Sequence, residues 1–272
     1  MKRRKRFLAG VCAVVLVLSF VHIPVMSAEY DGTEGQNYSV ENVSDASDIV
    51  SSGTCGENLV WEFRADGTLE ISGYGEMYDV TWACWLDVSS EAIRKVIIGN
   101  EVTTIGGEAF YRCKNLTEVI IGNSVTTIGI YAFEDCENLE NIIIPSNVTD
   151  IKYNAFYGCD KLKNVFIGSG LENIGRGVFV SCPSLQQINV DNSNPYFCSQ
   201  DGILYNKNIT NLICYPAAKT DITYNIPEGI TAISSYAFES CSNLTSVIFP
   251  ETLQEIGDSA FYNCDSLSMI LI

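Results

Sequence analysis

The chain predicts a β-dominated α/β solenoid of short stacked coils, and three features of the 272-residue sequence support this. First, a landmark phenylalanine recurs at Phe110, Phe133, Phe156, Phe179, Phe238 and Phe261. Four of its five gaps are 23 residues, and the fifth, 238 − 179 = 59, is one period plus 36. Second, each unit carries a short β-branched run L-x-x-V-x-I, as at Leu116, Val119 and Ile121. Third, a conspicuous A-F-x-x-C segment separates these runs, as at Ala109, Phe110 and Cys113. Units this small cannot bury their own apolar face, so they must stack on their neighbours.

Taken in chain order, Lys2 to Arg6 is basic, Phe7 to Val25 is almost wholly apolar, and Val25-Met26-Ser27-Ala28 ends in small residues. That order reads as a signal peptide over residues 1–28, with an uncleaved membrane anchor as the alternative. The formal net charge is −17, and the leader holds five Lys/Arg and no acid, so the mature chain carries −17 − 5 = −22. Such a chain disfavours nucleic acid and anionic membrane surfaces as partners, and no membrane insertion is expected after cleavage. The one histidine, His22, lies in the leader, so the mature chain lacks imidazole for Ser-His-Asp or Cys-His catalysis and for metal ligation. No cofactor is expected.

Residues 29–50 are rich in Ser, Asn, Asp and Glu and read as a flexible linker. In 51–91, Leu59 to Phe63 and Thr68 to Ile71 alternate apolar and polar around Arg64-Ala65-Asp66-Gly67, which predicts a β-hairpin capping the solenoid. Trp82 and Trp85 are expected to anchor that cap. Residues 92–272 form the solenoid. Its first strand is Ile93-x-x-Val96-x-Ile98, giving seven parallel strands about 4.8 Å apart, so that equivalent residues form columns. Ala109, Phe110, Cys113 and Leu116, spaced 1, 3 and 3, predict one face of a brief helical or 3₁₀ turn. The insertion at about 191–228 sets Ile203-Leu204-Tyr205 against Leu212 to Tyr215 and predicts a second hairpin after the fifth strand.

Val125-Thr126-Thr127-Ile128-Gly129, Ala132-Phe133-x-x-Cys136-x-x-Leu139 and Ile142-x-Ile144-Pro145, with their copies, resemble the leucine-rich repeats of bacterial BspA-like surface proteins. Gly53 to Leu59 and Gly67 to Gly73 resemble the segment that often precedes such arrays, and Asp201 to Tyr205 with Leu212 to Pro216 the hairpin that interrupts them. The resemblance implies a right-handed, horseshoe-like leucine-rich-repeat solenoid on a secreted or cell-surface protein, with adhesion or host-component binding known for some members.

Ten cysteines remain after the leader. Cys113, Cys136, Cys159, Cys182, Cys241 and Cys264 share one repeat position, where parallel Cβ vectors oppose disulfide geometry and favour buried thiols. Cys198 with Cys214, and Cys55 with Cys84, are the better disulfide candidates. Asp191-Asn192-Ser193-Asn194 offers oxygens for a weak Ca²⁺ site but lacks the charge and glycine of a calcium loop. Glu101, Glu108, Glu118, Asp135 and Glu137 fall at variable, solvated positions, which leaves a carboxylate glycosidase a distant reading.

The residue between the inward Val and Ile of each strand must point outward. That column reads Ile97, Ile120, Ile143, Phe166, Asn189, Ile248 and Leu271, flanked by the polar Lys95, Glu118, Asn141, Asn164, Gln187 and Ser246. It marks either a contact surface on the concave strand face or simple β-propensity. The sequence therefore predicts a non-enzymatic, adhesion-type protein that binds an extracellular protein or glycan, with a display or spacer module as the alternative. The last strand at Ile272 leaves an open edge, through which self-association is possible.

Overall fold

The computed structural model describes residues 48–79 and 88–271. The expected leader, almost all of the linker, Trp82, Cys84 and Trp85 lie outside the described residues. In chain order the strands are β1 (Ile49–Thr54), β2 (Leu59–Arg64), β3 (Thr68–Gly73), β4 (Gly75–Glu76), β5 (Lys95–Ile98), β6 (Val102–Ile105) and β7 (Glu118–Ile120). Then follow β8 (Thr127–Ile128), β9 (Asn141–Ile144), β10 (Asp150–Ile151), β11 (Asn164–Ile167), β12 (Asn173–Ile174) and β13 (Gln187–Val190). The insertion opens with β14 (Phe197–Gln200), β15 (Ile203–Asn206) and β16 (Asn211–Cys214). The rest are β17 (Thr223–Asn225), β18 (Ala232–Ile233), β19 (Ser246–Ile248), β20 (Glu255–Ile256) and β21 (Met269–Leu271).

These strands form a β-solenoid of stacked coils, with almost no helix among the described residues. The longer strand of each coil pairs in parallel with its equivalent one period on, for example Val165 with Ile142 and Ile188. The V-x-x-I segment builds a second parallel sheet, ordered β12-β10-β8-β6-β4. At the N-terminal end β1, β2 and β3 pair antiparallel, and β3 then pairs in parallel with β5.

The A-F-x-x-C segment corrects the expected helical or 3₁₀ turn. The residues two before and two after each landmark Phe are left-handed: Glu108 (φ 56) and Arg112 (φ 58), Tyr131 (φ 56) and Asp135 (φ 57), and so on to Ser259 (φ 55) and Asn263 (φ 57). A left-handed residue every fourth position breaks any i→i−4 ladder. The N–H groups of Glu108, Phe110 and Arg112 donate instead to the carbonyls of Ile130, Ala132 and Glu134 in the next coil, each at 2.8 Å. Spacings of 1, 3 and 3 fit both arrangements, and bonding between coils wins. Gly158 (φ 70) and Gly177 (φ 72) supply the same conformation at two of these twelve positions without the Cβ strain.

The repeated apolar residues fill the interior. Phe110, Phe133 and Phe156 are fully buried and stack at ring-centroid distances of 5.0 and 5.2 Å, with Phe179 a further 5.9 Å on. The column cysteines carry free thiols. Those of Cys136, Cys159 and Cys182 donate to the carbonyls of Phe110, Phe133 and Phe156 at 3.2–3.3 Å, so each weak S–H donor is used.

The 36-residue insertion is not a hairpin alone. Tyr215 stacks on Phe238 at 5.0 Å as a landmark aromatic would, and 238 − 215 = 23. β16 pairs in parallel with β18, and β17 with β19, so residues from about 207 to 227 make a further coil. The true excess is 36 − 23 = 13 residues, which supply the β14–β15 hairpin. The predicted seven long coil strands are therefore eight among the described residues, with β17 the one missed. The interior divides here, one core running to Leu204 and a second from Ile203 to Ala260.

Cys198 and Cys214 are both free, which corrects their proposed disulfide. Cys198 lies opposite Tyr205 and Cys214 opposite Leu204, so β15 runs between them. Two strand spacings are about 9.6 Å, beyond disulfide reach.

Glu239 is the one buried acid among the described residues, and it bridges the division. Its Oε2 accepts the Ser181 N–H at 2.9 Å, and its Oε1 accepts the Ser240 hydroxyl at 2.6 Å. Replacing Glu239 with Ala leaves that amide without its acceptor, and urea unfolding should show a loss of about 1–3 kcal/mol.

Candidate functional site

Side-chain alternation fixes the outward column. In β9 and β11, Ile142, Ile144, Val165 and Ile167 are buried while Ile143 and Phe166 are exposed. Ile143 is 66% exposed, Ile120 44% and Phe166 40%. Ile97 and Ile248 are half-buried, and Asn189 is exposed. Cross-strand pairs place Ile97 beside Ile120, and Phe166 between Ile143 and Asn189. The ladder itself is interrupted between β7 and β9.

Ile248 does not join this group directly. It stands between Asn225 and Leu271 in a separate sheet, β17-β19-β21. The β14–β15 turn interrupts the column, since the Ile188 N–H donates to the Gly202 carbonyl at 2.8 Å. The sequence reading missed Asn225, which the match of Ile226-Pro227 to Phe249-Pro250, 23 residues on, could have revealed. It also missed Glu70, which pairs with Ile97 at the other end.

The flank of the column is ordered. Lys95 Nζ meets Glu118 Oε1 at 2.9 Å. Asn164 donates to Asn141 Oδ1 at 2.7 Å, and Gln187 to Asn164 Oδ1 at 2.8 Å. This amide ladder fixes polar groups beside apolar side chains, an arrangement suited to a ligand with an apolar face and a hydrogen-bonding rim.

The other candidate residues serve structure. Asp191 Oδ1 accepts from the Ser193 N–H and hydroxyl at 2.8 and 2.6 Å, which hold its carboxyl below the usual range. Asn194 is fully buried, donates to the carbonyls of Gly168 and Leu171, and accepts from the N–H groups of Tyr196 and Phe197. The Asp191–Asn194 segment thus closes a turn with its own oxygens. Of the variable acids, Glu118, Asp135 and Glu137 face Lys95, Arg112 and Lys114 in surface ion pairs. Among the described residues no group of three or more His, Cys, Asp or Glu is placed to hold a metal ion.

A stacked-coil repeat protein with this strand motif defines a class of its own. The model for the BspA type leucine-rich repeat region, in six copies, matches residues 88–210 and 207–272, and the chain belongs to that family. Among solved structures, a leucine-rich repeat protein from Eubacterium ventriosum is similar at 26% identity and a TM-score of 0.63. That likeness covers 81% of this chain and 72% of the other. The pneumococcal vaccine antigen PcpA is similar in fold at 19% identity and a TM-score of 0.56, over 83% of this chain and 71% of its own. No curated protein matches the chain.

Proposed function

We propose that this chain is an exported, non-catalytic binding protein that holds an extracellular protein or glycan on its concave strand face, centred on Ile120, Ile143 and Phe166. The observation that carries this reading is the column itself: three large apolar side chains, 40–66% exposed, on adjacent coils and beside an ordered polar flank. A contiguous apolar patch edged by polar groups is characteristic of a contact surface. The leader-like start and the family support a place outside the cell, secreted or on the surface. The in-register pairing of β3 with β5 supports reading β1 to β3 as the N-terminal cap, and membership of the family supports a right-handed, horseshoe-like coil. A net charge of −22 for the mature chain would steer basic partners toward it, with association slowing as salt rises.

The test uses glycan arrays and a panel of purified extracellular-matrix proteins, probed with the wild-type chain and with Ile143→Ser/Phe166→Ser. Both positions are exposed, so the double variant should fold normally. Loss of two central apolar contacts should weaken binding at least about 30-fold. Undiminished binding by a folded double variant would show that another surface does the binding, and no binding by the wild-type chain to any member of either panel would favour the display module.

A further inference from the structure

The break in the solenoid opens a cleft. In β6, β8 and β10 the V-x-x-I strand is bonded on both edges: at β10 the Thr149 carbonyl accepts the N–H groups of Glu172 and Asn173 at 2.9 Å, and the Ile151 carbonyl accepts that of Gly175 at 2.7 Å. The next strand in line, β16, cannot repeat this toward β12, because its near edge is bonded to β15. β12 is therefore the last strand of its sheet. Among the described residues no protein N–H donates to the carbonyls of Glu172 or Ile174.

The adjoining turn is interrupted in the same way. Asn154 and Phe156 donate their N–H groups to Arg176 and Val178 at 3.2 and 3.1 Å, but among the described residues the N–H groups of Gly177 and Phe179 reach no carbonyl. Only Ser181 recovers a partner, in Glu239. Packing shows the same gap: Ile105, Ile128, Ile151 and Ile233 are at most 1% exposed, whereas Ile174 is half-buried. The cleft holds about 480 Å³ and is lined by Ile174, Phe179, Phe197, Asn211, Ile213 and Tyr236 among others.

We propose that this cleft binds an extended polypeptide segment of a partner, which enters beside β12 as the strand that the break leaves out. Two acceptors followed by two donors along one wall is the complement of a peptide backbone. Apolar residues on both sides can take alternate side chains of that strand. Charge narrows the class further. Glu172 is exposed and has no ion pair among the described residues, whereas Arg176 at the rim is engaged by Asp258 at 3.1 Å and lies over the Tyr236 ring at 5.0 Å. The segment thus carries a basic residue opposite Glu172. This site is separate from the outward column, and its test does not depend on that reading.

The probe is a fluorescently labelled ten-residue peptide copying residues 147–156, with lysine in the place of Thr149, which stands in the column of Glu172. Added to the full chain, it should bind saturably with a Kd in the micromolar range. N-methylation at the peptide residues copying Asp150 and Lys152 removes the donors to β12 and should weaken binding at least tenfold. Ile213→Trp, which fills the cleft, should abolish binding, and hydrogen exchange at the Gly177 and Phe179 amides should slow when the peptide is added. No saturable binding up to about 1 mM, or binding indifferent to N-methylation, would overturn the proposal. So would protection of those two amides in the free chain.

Discussion

Replacing Phe133 with Ala should destabilise the solenoid by about 3–5 kcal/mol, measured by urea unfolding at neutral pH. The ring is fully buried and stacked between Phe110 and Phe156, at 5.0 and 5.2 Å. Its removal takes away its own buried area and one face of two stacks, and the flanking coils cannot close the gap because the N–H ladder fixes their spacing. In a solenoid each coil is stabilised by its neighbours, so damage at a central coil weakens both interfaces. The outward Ile143→Ala, one coil strand away, should cost less than about 1 kcal/mol. Equal costs at the two positions would contradict the assignment of inside and outside.

Raising the pH should unfold the protein steeply just above the ordinary thiol range. Burial pushes the Cys113 thiol up to about 12 and, as the largest cause, also raises those of Cys136, Cys159 and Cys182. Cys241 is raised chiefly by its hydrogen bond with Cys264, which is itself lowered by the same contact. A thiol whose folded pKa is raised keeps its proton in the native state and loses it in the unfolded chain. Its contribution is intact below the unfolded value of about 9.0 and falls as pH rises toward the folded one. Each such thiol removes about 1.4 kcal/mol per pH unit in that window, so these four and Cys214, which burial also raises, remove about 7 per pH unit. That rivals a typical domain stability of about 5–15 kcal/mol, and unfolding is expected between about pH 10 and 11. Cys136→Ala/Cys159→Ala should lower the dependence of unfolding free energy on pH by about 3 kcal/mol per pH unit over this window. An unchanged slope would mean that the thiols are not what titrates.

The period made the interior legible because stacking demands the same residue at the same place. Phe110, Phe133, Phe156 and the cysteine column lie where the 23-residue spacing puts them. The turn was misread because a 1-3-3 spacing of apolar residues does not distinguish a helical turn from one broken by left-handed residues. Polar residues such as Asp135, Asn154 and Asn263 at Phe ± 2 were the available signal, since Asn and Asp enter that region most readily. The extra coil was hidden because Tyr215 replaces Phe, Ala218 replaces Cys, and the 13-residue hairpin shifts the phase ahead of them. The outward column was legible from alternation alone, but its interruption by the Asp201–Gly202 turn depends on tertiary contacts that no local pattern encodes.

The central claim is that the repeated residues hold the coils together and leave the outward column for recognition. Hydroxyl-radical footprinting of side chains, with and without a ligand identified on the panel, tests it most directly. Labelling of Ile120, Ile143 and Phe166 should fall sharply on binding, while that of Ile130, Tyr153 and Tyr262, equally exposed on the turn edge, should stay unchanged. Protection of the turn edge with the column still reactive would contradict the account.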